Sequence, residues 1–310
     1  ISVGATADVD LTAGGSFDFS TSVTNNLGTL DVAATNAATT VLGSSGNDKV
    51  TGGSSSDSIL GNAGDDTLIG AGGDDTIVAG AGNDSVDGGI GNDSITLTSG
   101  TNSVTAGDGN DSVTLGTGTD SVLAGIGDDL IVAAGNLSVA DTIAGGDGAD
   151  KLTFTDSDSA TTDLDNVTGI ETIELGDANT SVVAVESLVA NGANLVVDGS
   201  ALTTSTLNWY GAAETDGTFS ITGGDLADTI VGGALNDTID GGLGNDSLIG
   251  GAGDDDIIGG NGDDTIVIGT GTDSVLAGSG DDLIVAAGNL SVADTIAGGN
   301  GADKLTFTDS

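Results

Sequence analysis

Aspartate recurs at every ninth residue along most of this chain. It stands at Asp48, Asp57, Asp66, Asp75, Asp84, Asp93, Asp111, Asp120 and Asp129, and Asn102 fills the one gap in that register. A second array runs through Asp228, Asp237, Asp246, Asp255, Asp264, Asp273 and Asp282. Glycine lies two residues before most of these acids, and an aliphatic residue lies two residues after each, from Val50 and Ile59 to Ile266, Val275 and Ile284. Carboxylates in glycine-rich turns are hard oxygen donors on a flexible frame, the donor set that suits Ca²⁺ better than softer metals. Thiolate and imidazole sites are excluded, because the chain has no Cys and no His.

The composition sharpens the need for a cation. There are 48 Asp+Glu against 3 Lys+Arg, a formal net charge of −45. Stacked repeats would line the carboxylates up in rows that repel, and the chain has almost no positive side chain to place between them. The neutralising ion must come from solvent. The same balance argues against nucleic acid, whose binding needs Lys and Arg to replace phosphate counterions, and against an anionic membrane surface. No apolar run approaches a membrane span. Without His, Cys or Arg, the Ser-His-Asp, Cys-His and HExxH chemistries and the usual anion clamps are missing, so the chain reads as a non-enzyme. The paired acids Asp65–Asp66 and Asp128–Asp129 read as a rank residue with a neighbour that faces solvent or completes a calcium shell.

The elements that must position these acids follow from the period. Nine residues fit one face of a helix poorly, and each Gly in a helix would cost about 1 kcal/mol. The unit divides better into a six-residue turn and a three-residue strand whose aliphatic points inward. Two units then make one coil, with two strands facing each other across a thin aliphatic interior. After each array the phase slips by three residues across NLSVADTI, and one more motif follows: GGDGADKL with Asp150, and GGNGADKL with Asp303. Residues 116–157 and 269–310 differ only at Ile126/Ser279 and Asp147/Asn300, a tandem duplication. The chain opens on Ile1 without a visible signal peptide and stops inside a repeat unit, which reads as an excerpt of a longer array.

GGIGNDSIT, GGLGNDSLI and GGNGDDTIV match G-G-x-G-x-D-x-U-x. The chain thereby resembles the RTX calcium-binding β-roll proteins, in many units held to strict register over about 43–152 and 223–305. The resemblance implies an all-β, right-handed parallel β-roll or β-helix solenoid with Ca²⁺ between glycine-rich turns, held by the sixth-position Asp and turn carbonyls. Carried over by motif, the ligands are Asp48, Asp57, Asp66, Asp75, Asp84, Asp93, Asp111, Asp120, Asp129 and Asp150. In the second array they are Asp228, Asp237, Asp246, Asp255, Asp264, Asp273, Asp282 and Asp303. Departures are Asn102 in place of the acid, Ser55 before Asp57, and Leu226 and Leu235 before Asp228 and Asp237, which mark weak or empty sites. Asp141 and Asp294 follow NLSVA, which does not match the turn motif.

Four regions are expected: a β-rich, calcium-free coil or spacer at 1–42, a first roll at 43–152, a β-helical spacer without Asp turns at 153–222, and a second roll at 223–310. Within the spacer, GIETIEL resembles a phrase of parallel β-helical segments in bacterial surface-layer proteins, and Trp209–Tyr210 reads as a local packing cluster or cap. Lys49, Lys151 and Lys304 read as exposed strand residues. The resemblance implies an extracellular or cell-surface location with export by type I secretion. It also implies a calcium-dependent structural protein that self-associates into a surface layer or filament. The alternative is a calcium-rigidified spacer of a large adhesin or exported enzyme. An ice-binding solenoid would need regular outward Thr and Asn ranks, and only the GTGTD stretches at 116–120 and 269–273 hint at one.

Overall fold

A computed structural model describes residues 7–10, 16–18, 30–33, 37–155, 161–286 and 290–307. Most of the expected spacer at 1–42 lies outside the described residues. Every regular element among the described residues is a strand, and these strands pair in parallel. The chain is therefore an all-β parallel solenoid. Its contacts divide it into two compact units, 1–136 with 140–151, and 137–139 with 152–310.

In the first unit the coil is two nonapeptides long. Strands of one half-coil stack as Thr40–Leu42, Ser58–Ala63, Thr76–Ala81, Ser94–Thr96, Ser112–Thr114 and Leu130–Ala134. Those of the other half-coil stack as Lys49–Thr51, Thr67–Gly72, Ser85–Ile90, Ser99–Asp108, Thr117–Ile126 and Thr142–Asp147. The side chain two residues after each rank position turns inward. Val50, Ile59, Leu68, Ile77, Val86, Ile95, Val104, Val113, Val122 and Ile131 are all buried. Each full burial of this kind contributes about 1.5–3 kcal/mol. The three-residue slip is absorbed without loss of register in the core, for Val122 pairs with Ile143.

The second unit also has two strand faces, and its coil narrows along the chain. Thr206 bonds to Asn179 across 27 residues, Thr218 to Asn194 across 24, and Leu207 to Asp228 across 21. From Phe219 to Asp237 the step is 18, the two-nonapeptide value. The wide coils accommodate larger side chains. Trp209 is fully buried and meets Phe219 edge to face, with ring centroids 5.6 Å apart and an interplanar angle of 80°. That is the packing cluster expected of the Trp209–Tyr210 pair, with Tyr210 itself exposed. Beyond it the aliphatic ladder resumes with Ile230, Ile239, Leu248, Ile257, Ile266, Val275 and Ile284, all buried.

Candidate metal centre

The motif acids form a buried rank along the turns. Asp48, Asp57, Asp66, Asp75, Asp84, Asp93, Asp111, Asp120, Asp129, Asp150, Asp228, Asp237, Asp246, Asp255, Asp264, Asp273 and Asp282 are each 1–4% exposed. Asp303 is exposed. One carboxylate oxygen has the same task through most of the rank. Oδ1 accepts the backbone N–H of the rank residue one coil earlier, as from Asp48 to Asp66 (2.7 Å), Asp75 to Asp93 (2.7 Å) and Asp246 to Asp264 (2.8 Å). At the phase slips the partner is 21 residues on. Asp120 N–H donates to Asp141 at 2.7 Å and Asp273 N–H to Asp294 at 3.0 Å. Both of these acids thus occupy the rank despite the unmatched turn that precedes them. The sequence signal for them was the Asp-Thr-Ile triplet at the shifted phase. Asn102 also holds its place, accepting from Asp84 N–H at 2.9 Å and donating through Nδ2 to Asp120 Oδ1 at 2.8 Å.

The second oxygen divides the rank into two kinds of turn. At Asp66, Asp75, Asp84, Asp93, Asp111, Asp129, Asp246, Asp255, Asp264 and Asp282, Oδ2 is buried without a hydrogen-bond partner. At Asp57, Asp228 and Asp237 it accepts the N–H of the residue four positions earlier, from Gly53 (2.6 Å), Gly224 (2.6 Å) and Gly233 (2.5 Å). Asp48 Oδ2 is capped by Ser44 N–H at 2.6 Å and Asp120 Oδ2 by Gly116 N–H at 3.2 Å.

Backbone conformation explains the division. Before every open carboxylate, the residues four and two positions earlier both have positive φ, for example Gly80 (111°) and Gly82 (144°) before Asp84. In that conformation the turn lies flat against its neighbour, and residues such as Gly89 pair in register with Gly107 of the next coil. A Cβ at Gly80 or Gly82 would run into the carbonyl of Asn62 or Gly64 one coil earlier, so this close approach requires glycine. Before Asp57, Asp228 and Asp237 the residue at −2 is Ser55, Leu226 or Leu235, and the preceding Gly53, Gly224 and Gly233 do not take positive φ. The turn then folds so that its own N–H closes the carboxylate.

Burial raises the acids of the open turns well above the ordinary carboxylate range. Asp66, Asp75, Asp111, Asp246 and Asp255 are pushed up to about 7, and Asp264 to about 6. Lost solvation is the main cause. The backbone N–H bond from the preceding coil offsets it in part, and rank neighbours such as Asp48 and Asp84 around Asp66 add repulsion. Two unit charges one strand spacing apart, about 4.8 Å, repel by about 3–4 kcal/mol at an effective dielectric of about 20. A hydrogen bond returns only about 0.5–1.5 kcal/mol net. The ionised rank therefore needs a cation. The unpartnered Oδ2 atoms, all carboxylate and set in carbonyl-rich turns, fit hard, oxygen-seeking Ca²⁺.

A second polar ladder runs outside the first. The residue before most motif acids is exposed, and where it is Asp or Asn its side-chain oxygen accepts from the next coil. Asn83 N–H donates to Asp65 (2.9 Å), Asn92 N–H to Asp74 (2.9 Å) and Ala149 N–H to Asp128 (2.9 Å). The inner rank reaches back one coil and the outer rank reaches forward. The first acid of each pair thus acts as a turn-to-turn strut, a role the sequence did not disclose. Each lysine opens a strand; Lys49 and Lys304 are exposed as expected, whereas Lys151 is half-buried.

Comparison with known families matches the RTX calcium-binding nonapeptide repeat (four copies) to residues 34–68, 42–77, 60–95, 69–104, 96–131, 139–154, 222–257, 231–266, 267–288 and 292–306. No curated protein matches the chain. The family match covers more than half of the chain and leaves most of the wide-coil region unmatched. The chain belongs to the RTX calcium-binding repeat family and is a calcium-binding structural module of that type.

Proposed function

We propose that the chain is a calcium-folded structural segment of the bacterial cell surface, exported through type I secretion, that self-assembles into a surface layer or extracellular filament. The observation that carries the calcium dependence is the series of buried, unpartnered Oδ2 atoms in the open turns. Calcium is held at those turns, and the capped turns at Asp48, Asp57, Asp120, Asp228 and Asp237 remain metal-free. Self-assembly is supported by apolar side chains left outside, Ile90 and Ile126 among them, which stack in one column through Asp108. A second reading, a rigid spacer within a larger adhesin or exported enzyme, is favoured by the exposed outer ladder of acids, which would hold neighbouring molecules apart. Electron microscopy after dialysis from chelator into millimolar calcium separates the two. Sheets or filaments that disappear on chelation support assembly, and isolated single particles support the spacer.

A further inference from the structure

We propose that Glu186, Glu214 and Asp216 form a calcium site outside the nonapeptide repeats, clamping one wide coil to the next. One carboxylate oxygen from each lies within 4.8 Å of the others. Oxygens on opposite sides of an ion with Ca–O bonds of about 2.3–2.6 Å are about 4.6–5.2 Å apart, so all three can share one ion. Acid clusters on surfaces are common without metal, and the distinguishing observation here is Glu214. It is completely buried. Its Oε1 accepts the N–H groups of Gly217 (2.8 Å) and Asp216 (3.1 Å), whereas Oε2 has no partner. A buried carboxylate oxygen without a partner is costly unless a cation meets it.

The surroundings hold the three groups in place. Glu186 Oε1 accepts from Thr215 Oγ1 at 2.6 Å, and Asp216 Oδ2 from Asn191 Nδ2 at 2.7 Å. Glu214 N–H donates to Gly211 and its carbonyl accepts from Ala234, which anchors the turn on both sides. No side-chain cation serves the cluster, because the only basic residues are Lys49, Lys151 and Lys304, and none lies between 152 and 303. Three carboxylates and no nitrogen or sulfur donor select a hard divalent ion, and the flexible coil turns suit Ca²⁺ better than octahedral Mg²⁺. Glu186 and Asp216 come from successive coils where the step is still wide. The ion would fix that width before the coil narrows to two nonapeptides.

Native mass spectrometry of the whole chain in calcium counts the ions. Glu214→Gln keeps an acceptor for the Gly217 and Asp216 N–H groups and removes the charge. The double variant Glu186→Gln/Asp216→Asn changes only the more accessible members and covers the case in which Glu214→Gln does not fold. Each is expected to lose one bound Ca²⁺, and terbium-soaked crystals of the parent to show anomalous density between the three side chains. An unchanged ion count with no density there overturns the site. Asp255→Asn, run beside them, keeps the two claims apart. If it alone loses an ion, the repeats bind calcium and this cluster does not. If only the cluster variants lose one, the cluster stands and the account of the repeats fails.

Discussion

The turns before Asp237 and Asp255 stand one coil apart in the same rank, and they differ in a single instructive respect. Both carboxylates sit in the rank and both receive a backbone N–H through Oδ1, from Phe219 and from Asp237. Asp237 Oδ2 is closed by Gly233 N–H, and Asp255 Oδ2 is left open. Gly251 and Gly253 have positive φ before Asp255, whereas Leu235 stands at the second of these places before Asp237. The position of an acid in the register therefore does not decide whether its second oxygen is partnered. The sign of φ in the turn decides whether the chain supplies its own donor or leaves the oxygen for an ion.

The largest expected effect is loss of the fold on chelation. Each site filled at calcium a hundredfold above its dissociation constant contributes about 2.7 kcal/mol, and the open turns are many. Circular dichroism in chelator should show most of the β signal gone and restored by millimolar calcium. Unchanged β content in chelator would erase the distinction between open and capped turns.

Acid should replace calcium in part. Asp66, Asp75, Asp111, Asp246 and Asp255 rise by burial from 3.8 to about 7 in the folded, metal-free chain. The folded state then holds more protons than the unfolded one between those values. The stability these acids contribute is fully present below pH 3.8 and is lost as pH rises through 7. In chelator, β structure should grow as pH is lowered from 8 toward 5, while in calcium-limited solution ion binding should weaken over the same range. A calcium-free chain that becomes less structured on acidification would contradict the burial of these acids.

Substitutions in the two turns sharpen the comparison further. Asp255→Asn should lower stability in calcium by about 2–3 kcal/mol, the contribution of one ion, and should cost less in chelator. Asp237→Asn sets an amide against two N–H donors and should cost about 1–3 kcal/mol with or without calcium. Thermal unfolding in both conditions reads the difference. The smallest effect is a gain: Leu235→Gly frees the turn to take positive φ, and native mass spectrometry should then count one additional Ca²⁺.

Much of this was legible in the residues. The period, the inward aliphatics and the rank acids follow from spacing alone, because a two-nonapeptide coil leaves few other arrangements. Ser55, Leu226 and Leu235 also flagged the departing turns at Asp57, Asp228 and Asp237. The capping of Asp120 was not legible, for Gly116 and Gly118 satisfy the glycine pattern. Only the folded turn shows the difference: Gly118 takes positive φ and Gly116 does not. Contacts between turns one coil apart do not show in a single unit read alone. The forward-reaching outer ladder was hidden for the same reason. Nor did the Glu186, Glu214 and Asp216 cluster show, since it joins Glu186 to residues 28 and 30 positions later in coils whose width no repeat fixes.

The most direct test is anomalous X-ray diffraction from crystals grown in calcium. The account predicts calcium density against Oδ2 of Asp246, Asp255 and Asp264, and none against Oδ2 of Asp228 or Asp237. Equal density at both sets, or none at the first, would contradict it.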